Sequence, residues 1–389
     1  MTLWSTICIV LEYCLYKSNN NINFFKIFDS AIKKIISKGD AMFREKNRYI
    51  AMPPAVFPRI TVDEGKCNGC GRCVKTCPIQ LLMLNDNKKS CSNERYDEFR
   101  CVYCENCMAV CPKMAIQIDG EYRVTKGYWK NDDLYDGHQV PPQPFEDSAD
   151  KKFEDYAKKL TETERVIYKR RSTRLYQKKQ VEPGLVLRVI EAGRYAPSAG
   201  NNQPWKFIVI QKRELIEELN QMVHRSLKFA TFLGLPRAWL NKKIPGDKTA
   251  KLALWQKIIL NPLVKYIYKG DADMRARGGV NAVTSDPDFD TTFGAQTLII
   301  LLSDKRAIGG TELDLGMCAQ NMIIVAHAMG LGACYIGLIP NAFKFNPKLK
   351  KRLGIIHPFE AVISFALGYP LGKIDSNVRR EKPRINWIS

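Results

Sequence analysis

The cysteines between residues 60 and 118 constrain this chain more than any other feature. Four of them have the spacing C-x2-C-x2-C-x3-C and are followed by proline, and the same spacing with its proline occurs a second time. The eight cysteines are Cys67, Cys70, Cys73 and Cys77 in the first copy and Cys101, Cys104, Cys107 and Cys111 in the second. A repeat of this fidelity, with one constant offset for every cysteine, predicts two copies of one small structural unit.

Metal ligation explains these cysteines better than disulfide bonding does. A disulfide scaffold is typical of short secreted chains, whereas this chain has 389 residues and 13 cysteines, most of them in one segment. A pair of zinc sites is the alternative, because four thiolates also suit tetrahedral zinc. Zinc ribbons, however, use two C-x2-C pairs separated by a longer loop. The spacing therefore favours iron–sulfur clusters.

The doubled motif resembles that of the bacterial ferredoxins that hold two four-iron four-sulfur (4Fe-4S) clusters. In that family three close cysteines surround one cluster, while the fourth, set off by proline, ligates the other cluster. The first loop is short and contains Gly69 and Gly71, which leave backbone N–H groups free to donate hydrogen bonds to the cluster sulfurs. The ligand sets that the resemblance implies are Cys67, Cys70, Cys73 and Cys111 for one cluster, and Cys101, Cys104, Cys107 and Cys77 for the other.

The length of the chain and its changes of pattern predict several domains. At roughly 150 residues per domain, a chain of 389 residues corresponds to two or three. We expect an N-terminal extension of unknown role at 1–55 and a two-cluster ferredoxin-like domain at 56–125. A proline-containing linker at 126–160 then leads to a further domain at 161–389.

The further domain has the pattern of an α+β fold around a buried sheet. Helical patterns alternate with short apolar runs at 207–210, 297–302 and 361–366. The stretch at 225–280 is the least regular part, with tryptophans and tyrosines among lysines. It predicts either a helical insertion over an active site or an ordinary solvated pair of helices.

Several separated motifs stand out in this domain, and the arginine-rich first one suits a ligand that carries a phosphate. The first is Y-K-R-R-S-T-R at 168–174, and the second is A-P-S-A-G-N-N-Q-P-W at 196–205, directly before an apolar run. The third runs from Asp314 through an apolar helical stretch to Gly337, and the last places two arginines after G-Y-P at 368–370. Arginine binds phosphate oxygens in a planar fork. Each motif alone also fits a solvated basic run, a turn or a helix C-cap.

In this order, the motifs resemble those of the nitroreductase family of FMN enzymes over about residues 161–389. The resemblance implies an α+β FMN-binding domain and a homodimer built around the Asp314–Met329 helix, with the flavin at the subunit interface. It does not distinguish between Arg379 and Arg380 as a phosphate contact. The FMN contacts that it implies are Arg170, Arg171, Ser172, Arg174, Pro197, Ser198, Ala199, Asn201, Tyr335, Ile336, Gly337 and one of Arg379 and Arg380.

The net charge of +20 raises nucleic acid or an anionic membrane as partners. The excess of lysine and arginine is spread out, however, and iron–sulfur clusters add negative charge that the formal count omits. A basic surface around an anionic cofactor, substrate or acidic electron donor explains it as well, so we expect no nucleic-acid partner. The apolar start at 3–16 is too short to span a bilayer and lacks a basic n-region. We therefore expect a cytoplasmic protein, with an interfacial membrane anchor as the less favoured alternative.

The two cofactor types together predict a redox enzyme. Clusters pass single electrons, whereas most organic reductions need two electrons and protons, and a flavin converts one into the other. We expect electrons to pass from the clusters to FMN and on to a nitroaromatic, a quinone or a similar small electron-poor acceptor. The donor is expected to be a ferredoxin or NAD(P)H, although no glycine-rich dinucleotide fingerprint is visible. The alternatives are a reductase or dehydrogenase of one metabolite, and an electron-transfer module for a partner protein. No catalytic side chain stands out.

Overall fold

The chain is described here from a computed structural model. Most of the expected extension at 1–55 and most of the irregular stretch at 225–280 lie outside the described residues, so those two predictions stay predictions. All the described residues fall within one compact unit. The structure describes residues 50–51, 55–120, 123–124, 139–148, 151–232, 239–240, 275–372, 377–383 and 385–388.

The ferredoxin-like part consists of two similar loops, each followed by a short helix. Helices α1 and α3 occupy equivalent places in the two copies of the motif, so the repeat of the sequence is also a repeat of the backbone. Strands β3 and β6 pair antiparallel, with Val62 opposite Ile116. The elements in order are β1 (Ile50–Ala51), β2 (Ala55–Val56), β3 (Arg59–Val62), α1 (Arg72–Thr76), β4 (Leu82–Leu84), β5 (Ser90–Ser92), α2 (Tyr96–Phe99), α3 (Asn106–Val110), β6 (Ile116–Asp119) and β7 (Arg123–Val124).

Backbone dihedral angles repeat as well. Gly69 and Gly71 have φ angles of 70° and 67°, and their equivalents in the second copy, Tyr103 and Glu105, have φ angles of 55° and 54°. Residues other than glycine rarely adopt this left-handed conformation. At Gly69 a side chain is also excluded by space, because a Cβ there would lie 2.4 Å from the carbonyl oxygen of Lys88. The second loop therefore keeps the path of the first without its glycines.

The remaining elements form the larger part of the unit. Two short pairs join distant segments: β8 pairs antiparallel with β14, and β1 pairs parallel with β10. The elements in order are β8 (Gln139–Val140), α4 (Phe153–Tyr156), α5 (Glu162–Lys169), α6 (Pro183–Arg194), β9 (Trp205–Ile210), α7 (Arg213–Phe232), β10 (Trp239–Leu240), α8 (Arg275–Ser285), β11 (Thr297–Asp304), α9 (Thr311–Ala328), β12 (Gly332–Tyr335), α10 (Leu338–Ala342), α11 (Pro347–Arg352), β13 (Phe359–Gly368) and β14 (Arg380–Glu381).

A four-stranded antiparallel sheet organises this part, with the strand order β12–β13–β11–β9. The central strand β11 is buried along almost its whole length, which requires packing on both faces. Leu298 and Ile300 pack in the core that includes residues of α7 and α10, whereas Ile299 and Leu301 pack in the core that includes residues of α6 and α9. The three strands predicted from apolar runs and the α+β fold class are confirmed.

Helix α9 confirms the long helix predicted from Asp314 onward. It ends before Gly330, whose φ of 78° supplies the left-handed cap that L-residues rarely adopt. The Leu331 N–H donates to the Ala326 carbonyl at 2.9 Å, which closes the last turn. Within the described part of the chain, none of the helices combines the length and apolar character that crossing a bilayer requires.

Asp290 ties the loop before β11 to helix α7. Its carboxylate accepts hydrogen bonds from the Thr292 N–H at 2.8 Å, from Asn220 at 2.8 Å and from Arg213 at 3.0 Å. Burial raises the pKa of Asp290, but these donors outweigh burial and hold the pKa below its usual value. The ionised carboxylate is therefore part of the folded structure.

Replacing Asp290 by asparagine should lower the free energy of unfolding by about 2–4 kcal/mol, because several buried donors lose a charged acceptor. Urea unfolding under anaerobic conditions would measure the change. Asp288→Asn, at an exposed position in the same loop, is the matched control and should stay within about 0.5 kcal/mol of the parent protein. Equal destabilisation of the two variants would contradict this role of Asp290.

Candidate functional site

The first cysteine set surrounds one small cavity. The Ser90 N–H donates to Cys67 Sγ at 3.4 Å, and the thiol of Cys73 donates to Ser90 Oγ at 3.2 Å. Hydrogen-bonding groups beside cluster sulfurs tune an iron–sulfur site, so the surroundings fit a cluster. The cavity is lined by Cys67, Asn68, Cys70, Gly71, Cys73, Leu84, Ser90, Cys111, Ala115 and Ile116.

The members of the second set also lie close enough to affect one another. Burial raises the pKa of Cys77 to about 11 and that of Cys101 to about 12, and the neighbouring Cys104 adds to both shifts. Burial likewise raises the pKa of Cys107 well above its usual value, and Cys104, Cys101 and Cys77 add to that shift. Thiols in such a place are held as thiolates only by a bound metal. The structure therefore brings together each of the two sets that the ferredoxin resemblance implies.

Zinc and a 4Fe-4S cluster place different demands on the spacing of their thiolates. A zinc ion at about 2.3 Å from each sulfur would gather its four thiolates closely around one point. Among the described residues, no three His, Cys, Asp or Glu side chains are grouped so that they could hold a single metal ion. A 4Fe-4S cluster is a larger body and holds its thiolates further apart.

The motif at 168–174 lies along the edge of the main sheet. Ser172 forms a parallel bridge with Ala333 of β12, and the Thr173 N–H donates to the Ala333 carbonyl at 2.9 Å. Gly332 permits this approach, because a Cβ at that position would lie 2.5 Å from Thr173 Oγ1. This close backbone approach therefore fixes the position of the motif's backbone, and so of its arginines, relative to β12.

Arg170 shares its surroundings with Arg380 and Tyr335. Burial lowers the pKa of Arg170 and the positive charge of Arg380 lowers it further, while Tyr335 acts in the opposite sense. Two guanidinium groups this close repel each other unless an anion lies between them. Arg379 has a different role, since its backbone N–H is hydrogen-bonded to Glu105. The arrangement fits a phosphate and favours Arg380 over Arg379 as its contact.

The other two arginines of the motif face the ferredoxin-like part. Arg171 is only 4% exposed, and its Nη2 donates to the carbonyl oxygen of Cys104 at 2.8 Å. Asn106 lies between Ser172 and Arg174: with its amide nitrogen towards the Ser172 carbonyl it donates at 2.8 Å, and its oxygen accepts from Arg174. Neighbouring residues of one motif therefore point towards two different cofactor sites.

The end of β12 offers a surface for a planar ring. Tyr335 is 44% exposed and packs edge-on against Phe365, with ring centroids 6.3 Å apart. The Ile336 N–H donates to the Ser364 carbonyl at 2.8 Å, so that group is already used within the sheet. Next to it, a Cβ added at Gly337 would meet no atom within 4 Å, which leaves open space beside the backbone. Gly337 therefore fits the predicted flavin contact, while Ile336 anchors the strand end.

The loop with Pro197, Ser198, Ala199 and Asn201 lies elsewhere. The Gln203 N–H donates to Ser198 Oγ at 3.0 Å, and the Asn201 N–H donates to the Ser198 carbonyl at 2.9 Å. The loop leads into β9, which is the opposite edge strand from β12. Three strand spacings of about 4.8 Å separate those edges. Within one chain, the two groups of predicted FMN contacts therefore lie at opposite edges of the sheet, one beside β12 and the other beside β9.

Sequence reasoning missed Glu105 and Asn106 as functional candidates. Burial raises the pKa of Glu105, whereas Arg171, Arg379 and Arg380 act in the opposite sense. A signal was available, because Glu105 occupies the place of Gly71 in the first repeat. A charged residue that replaces glycine at a left-handed position implies a specific contact.

Comparison with known proteins agrees with this geometry. Residues 167–369 match the family model of the Nitroreductase family, and residues 66–115 match that of the 4Fe-4S dicluster domain. The chain belongs to the nitroreductase family. It is therefore an FMN-dependent oxidoreductase that also carries a 4Fe-4S domain.

Several relatives extend the comparison. A protein of Archaeoglobus fulgidus, provisionally named an NADH dehydrogenase/NAD(P)H nitroreductase, is 39% identical over 216 residues, which cover 56% of this chain and 90% of the relative. The 4-nitrobenzoate reductase of Pseudomonas putida is 26% identical over 212 residues, which cover 52% of this chain and 83% of that enzyme. The crystal structure of a nitroreductase with bound FMN from Bacteroides fragilis aligns at 20% identity with a TM-score of 0.40, covering 59% of this chain and 98% of the other.

The two C-terminal arginines should differ in their effect on the flavin. Arg380→Ala removes a guanidinium beside Arg170 and should therefore weaken FMN binding. The expected loss is about 1–1.5 kcal/mol, roughly 5- to 10-fold in Kd, and is no larger because the Arg380 side chain is exposed to solvent. Arg379→Ala is the matched control, since it loses the same charge but keeps the backbone N–H that Glu105 uses. Flavin fluorescence during equilibrium dialysis would measure both. A greater loss of FMN in the Arg379 variant would reverse the assignment.

Proposed function

We propose that this chain passes electrons from two 4Fe-4S clusters to FMN and from FMN to a small electron-poor organic acceptor. The observation that carries the proposal is the 2.8 Å hydrogen bond between the buried Arg171 and the Cys104 carbonyl. It joins a cysteine loop of the ferredoxin-like part directly to the arginine motif of the flavin-binding part. A cluster and a flavin held by these neighbouring segments would lie near each other, as direct electron transfer requires.

The cysteines would hold the two clusters in the ligand sets that the ferredoxin resemblance implies. Backbone N–H groups support both sets at equivalent places. Leu81 donates to Cys77 Sγ at 3.4 Å, and Ala115, its equivalent in the second copy, donates to Cys111 Sγ at 3.3 Å. Cys77 and Cys111 are the cysteines that each copy would contribute to the other copy's cluster. The equivalent donors support two clusters of one kind.

Arg170 and Arg380 would hold the FMN phosphate, with Ser172 and Arg174 following along the segment that bridges to the edge strand β12. The backbone at Tyr335 and Gly337 would support the ring, in the open space beside Gly337. FMN, when bound, accepts electrons singly and delivers them in pairs. The protein's own contribution is to position it and to balance its charge, which agrees with the basic character of the motif.

A homodimer would complete the flavin site. Helix α9 has apolar side chains on more than one face. Leu315 and Met322 are fully buried within the chain, whereas Leu313 on the same helix is 68% exposed. A helix that is apolar all round is normally buried. A second copy packed on α9 would cover this helix. The partner's loop at 197–201 would then lie near the β12 edge of the sheet, whereas this chain's own loop lies at the opposite edge, beside β9.

Among electron-poor acceptors we favour nitroaromatic compounds. The support is the 4-nitrobenzoate reductase of Pseudomonas putida, which shares 26% identity over 212 residues. Quinones have a similar demand for two electrons and protons and are the next candidates. The donor would be a ferredoxin, through the clusters, or NAD(P)H, as the name of the Archaeoglobus relative includes.

Replacing Cys104 by serine should damage one cluster and slow reduction of the flavin at least tenfold, because Cys104 belongs to the loop that meets the arginine motif. The anaerobically purified parent protein should hold about eight irons per chain, as two cubanes require, and the variant fewer. Stopped-flow absorbance with dithionite as reductant would follow the flavin. FMN content should not change.

Cys91→Ser is the matched control for this experiment, since Cys91 lies in β5 outside both ligand sets. It should keep iron content and flavin reduction at parental values. Unchanged flavin reduction in the Cys104 variant would show that electrons bypass the clusters. Stoichiometric zinc without iron would remove the clusters from the proposal altogether.

Leu313→Glu should dissociate the proposed dimer and release FMN. The side chain is exposed in one chain, so a charge there has little effect on the monomer's own folding but a large cost within an apolar interface. Ile356→Glu, also exposed at 56% but outside α9, is the control. Sedimentation velocity would measure the oligomeric state of each variant, and the FMN content would be measured on the same samples. A parent protein that is monomeric but retains full FMN would exclude the proposal that a dimer completes the flavin site.

A further inference from the structure

The two cysteine loops differ in what they face, although their backbones follow the same path. Among the described residues, those that line the cavity of the first set all belong to the ferredoxin-like part, and Cys70 in this cavity is exposed. The loop of the second set faces the arginine motif, through the Cys104 carbonyl and Arg171. One cluster site is therefore directed to solvent and the other to the flavin-binding segment.

Asn106 makes the second contact of this kind. It is 3% exposed and joins the Ser172 carbonyl to Arg174. Its counterpart at the equivalent place of the first repeat is Arg72, a cationic side chain. The first loop could not make this contact if the two sites were exchanged, because a guanidinium cannot accept a hydrogen bond from Arg174.

Glu105 supplies a third contact. It is hydrogen-bonded to the backbone N–H of Arg379, which belongs to the flavin-binding part. Its backbone has a φ of 54°, where the first repeat has Gly71. A non-glycine residue persists in this conformation only when its surroundings fix it. The second loop is thus specialised for its position, and the first loop is not.

We propose that the cluster site of Cys101, Cys104, Cys107 and Cys77 is the one that delivers electrons to the flavin, and that Arg171 is a positioning residue between the two and not a phosphate contact. The inference rests on the proposed function, since it requires that clusters feed the flavin. Cys70 and its exposed cavity are then the side from which the first cluster receives electrons.

The electron balance is simple. A low-potential one-electron reductant would be oxidised, in the test below the SO2 radical anion of dithionite to SO2, and the clusters would carry each electron in turn. Two such transfers, with two protons from solvent, would supply what the reduction of one FMN requires. Arg171 neither gains nor loses a proton in this sequence. Its positive charge favours the reduced, more negative form of the neighbouring cluster.

Arg171→Gln in the full chain tests the assignment, with Arg188→Gln on the exposed face of α6 as a control of equal charge loss. Iron and FMN are counted after anaerobic purification. Each cluster is followed by electron paramagnetic resonance (EPR) during a redox titration, and the signals are assigned with Cys70→Ser and Cys104→Ser. Flavin reduction by dithionite is followed by stopped flow.

The Arg171 variant should keep its FMN and iron while reduction of the Cys104 cluster becomes about tenfold less favourable, a shift of about 59 mV for one electron. Flavin reduction should slow about tenfold, and Arg171→Lys should restore the cluster equilibrium because the charge returns. Loss of FMN as large as that expected for Arg380→Ala would overturn the proposal, as would a shift confined to the Cys70 cluster or no shift at all.

Asn106→Ala provides a second variant in case Arg171→Gln does not fold. It removes the bridge between Ser172 and Arg174 without changing any charge, so flavin reduction should slow severalfold while the cluster equilibrium stays at the parental value. An unchanged rate would contradict the proposal. Failure of the proposed function would be distinguishable from failure of this inference. If clusters do not feed the flavin at all, the flavin of the Cys104→Ser variant would be reduced as fast as that of the parent protein.

Discussion

The contact between Thr173 and Gly332 is the constraint on which the rest of the site depends. A side chain at residue 332 would collide with Thr173, so only glycine lets the 170–174 segment run against β12. The extended backbone that results turns Arg170 and Arg171 in different directions. One meets Arg380 and Tyr335, and the other meets Cys104. A single backbone approach thereby places Arg170, a candidate phosphate contact, next to Arg171, which contacts a cysteine loop.

The duplicated cysteine loops show how one scaffold can serve two different neighbours. Metal binding depends on the cysteines and on the left-handed backbone positions, and these are kept in both copies. Contact with the flavin-binding part depends on the side chains between the cysteines, and there Glu105 and Asn106 differ from Gly71 and Arg72. The arrangement of the cysteines is consequently alike in the two copies while the surroundings are not.

The sequence predicted the parts of this structure that depend on local pattern. The three strands, helix α9 and its glycine cap follow from apolar periodicity and from Gly330, and the cysteine sets are those that the resemblance to two-cluster ferredoxins implies. The direction of Arg171 could not be predicted, because a motif specifies which residues occur and not which neighbour each side chain meets. The roles of Glu105 and Asn106 depend on contacts with residues far away along the chain. Such contacts exist only once both parts have folded.

The pairing of β8 with β14 has a consequence for how the two parts are joined. Val140, upstream of the whole flavin-binding part, is the ladder partner of Arg380 near the C-terminus. The backbone that presents one of the phosphate-binding candidates is thus held by the segment that connects the two parts. The connection serves as a brace, and separate expression of the two parts on different polypeptides would remove the strand that supports this arginine. Covalent continuity here belongs to the architecture of the candidate flavin site as well as to the tethering of the ferredoxin-like part.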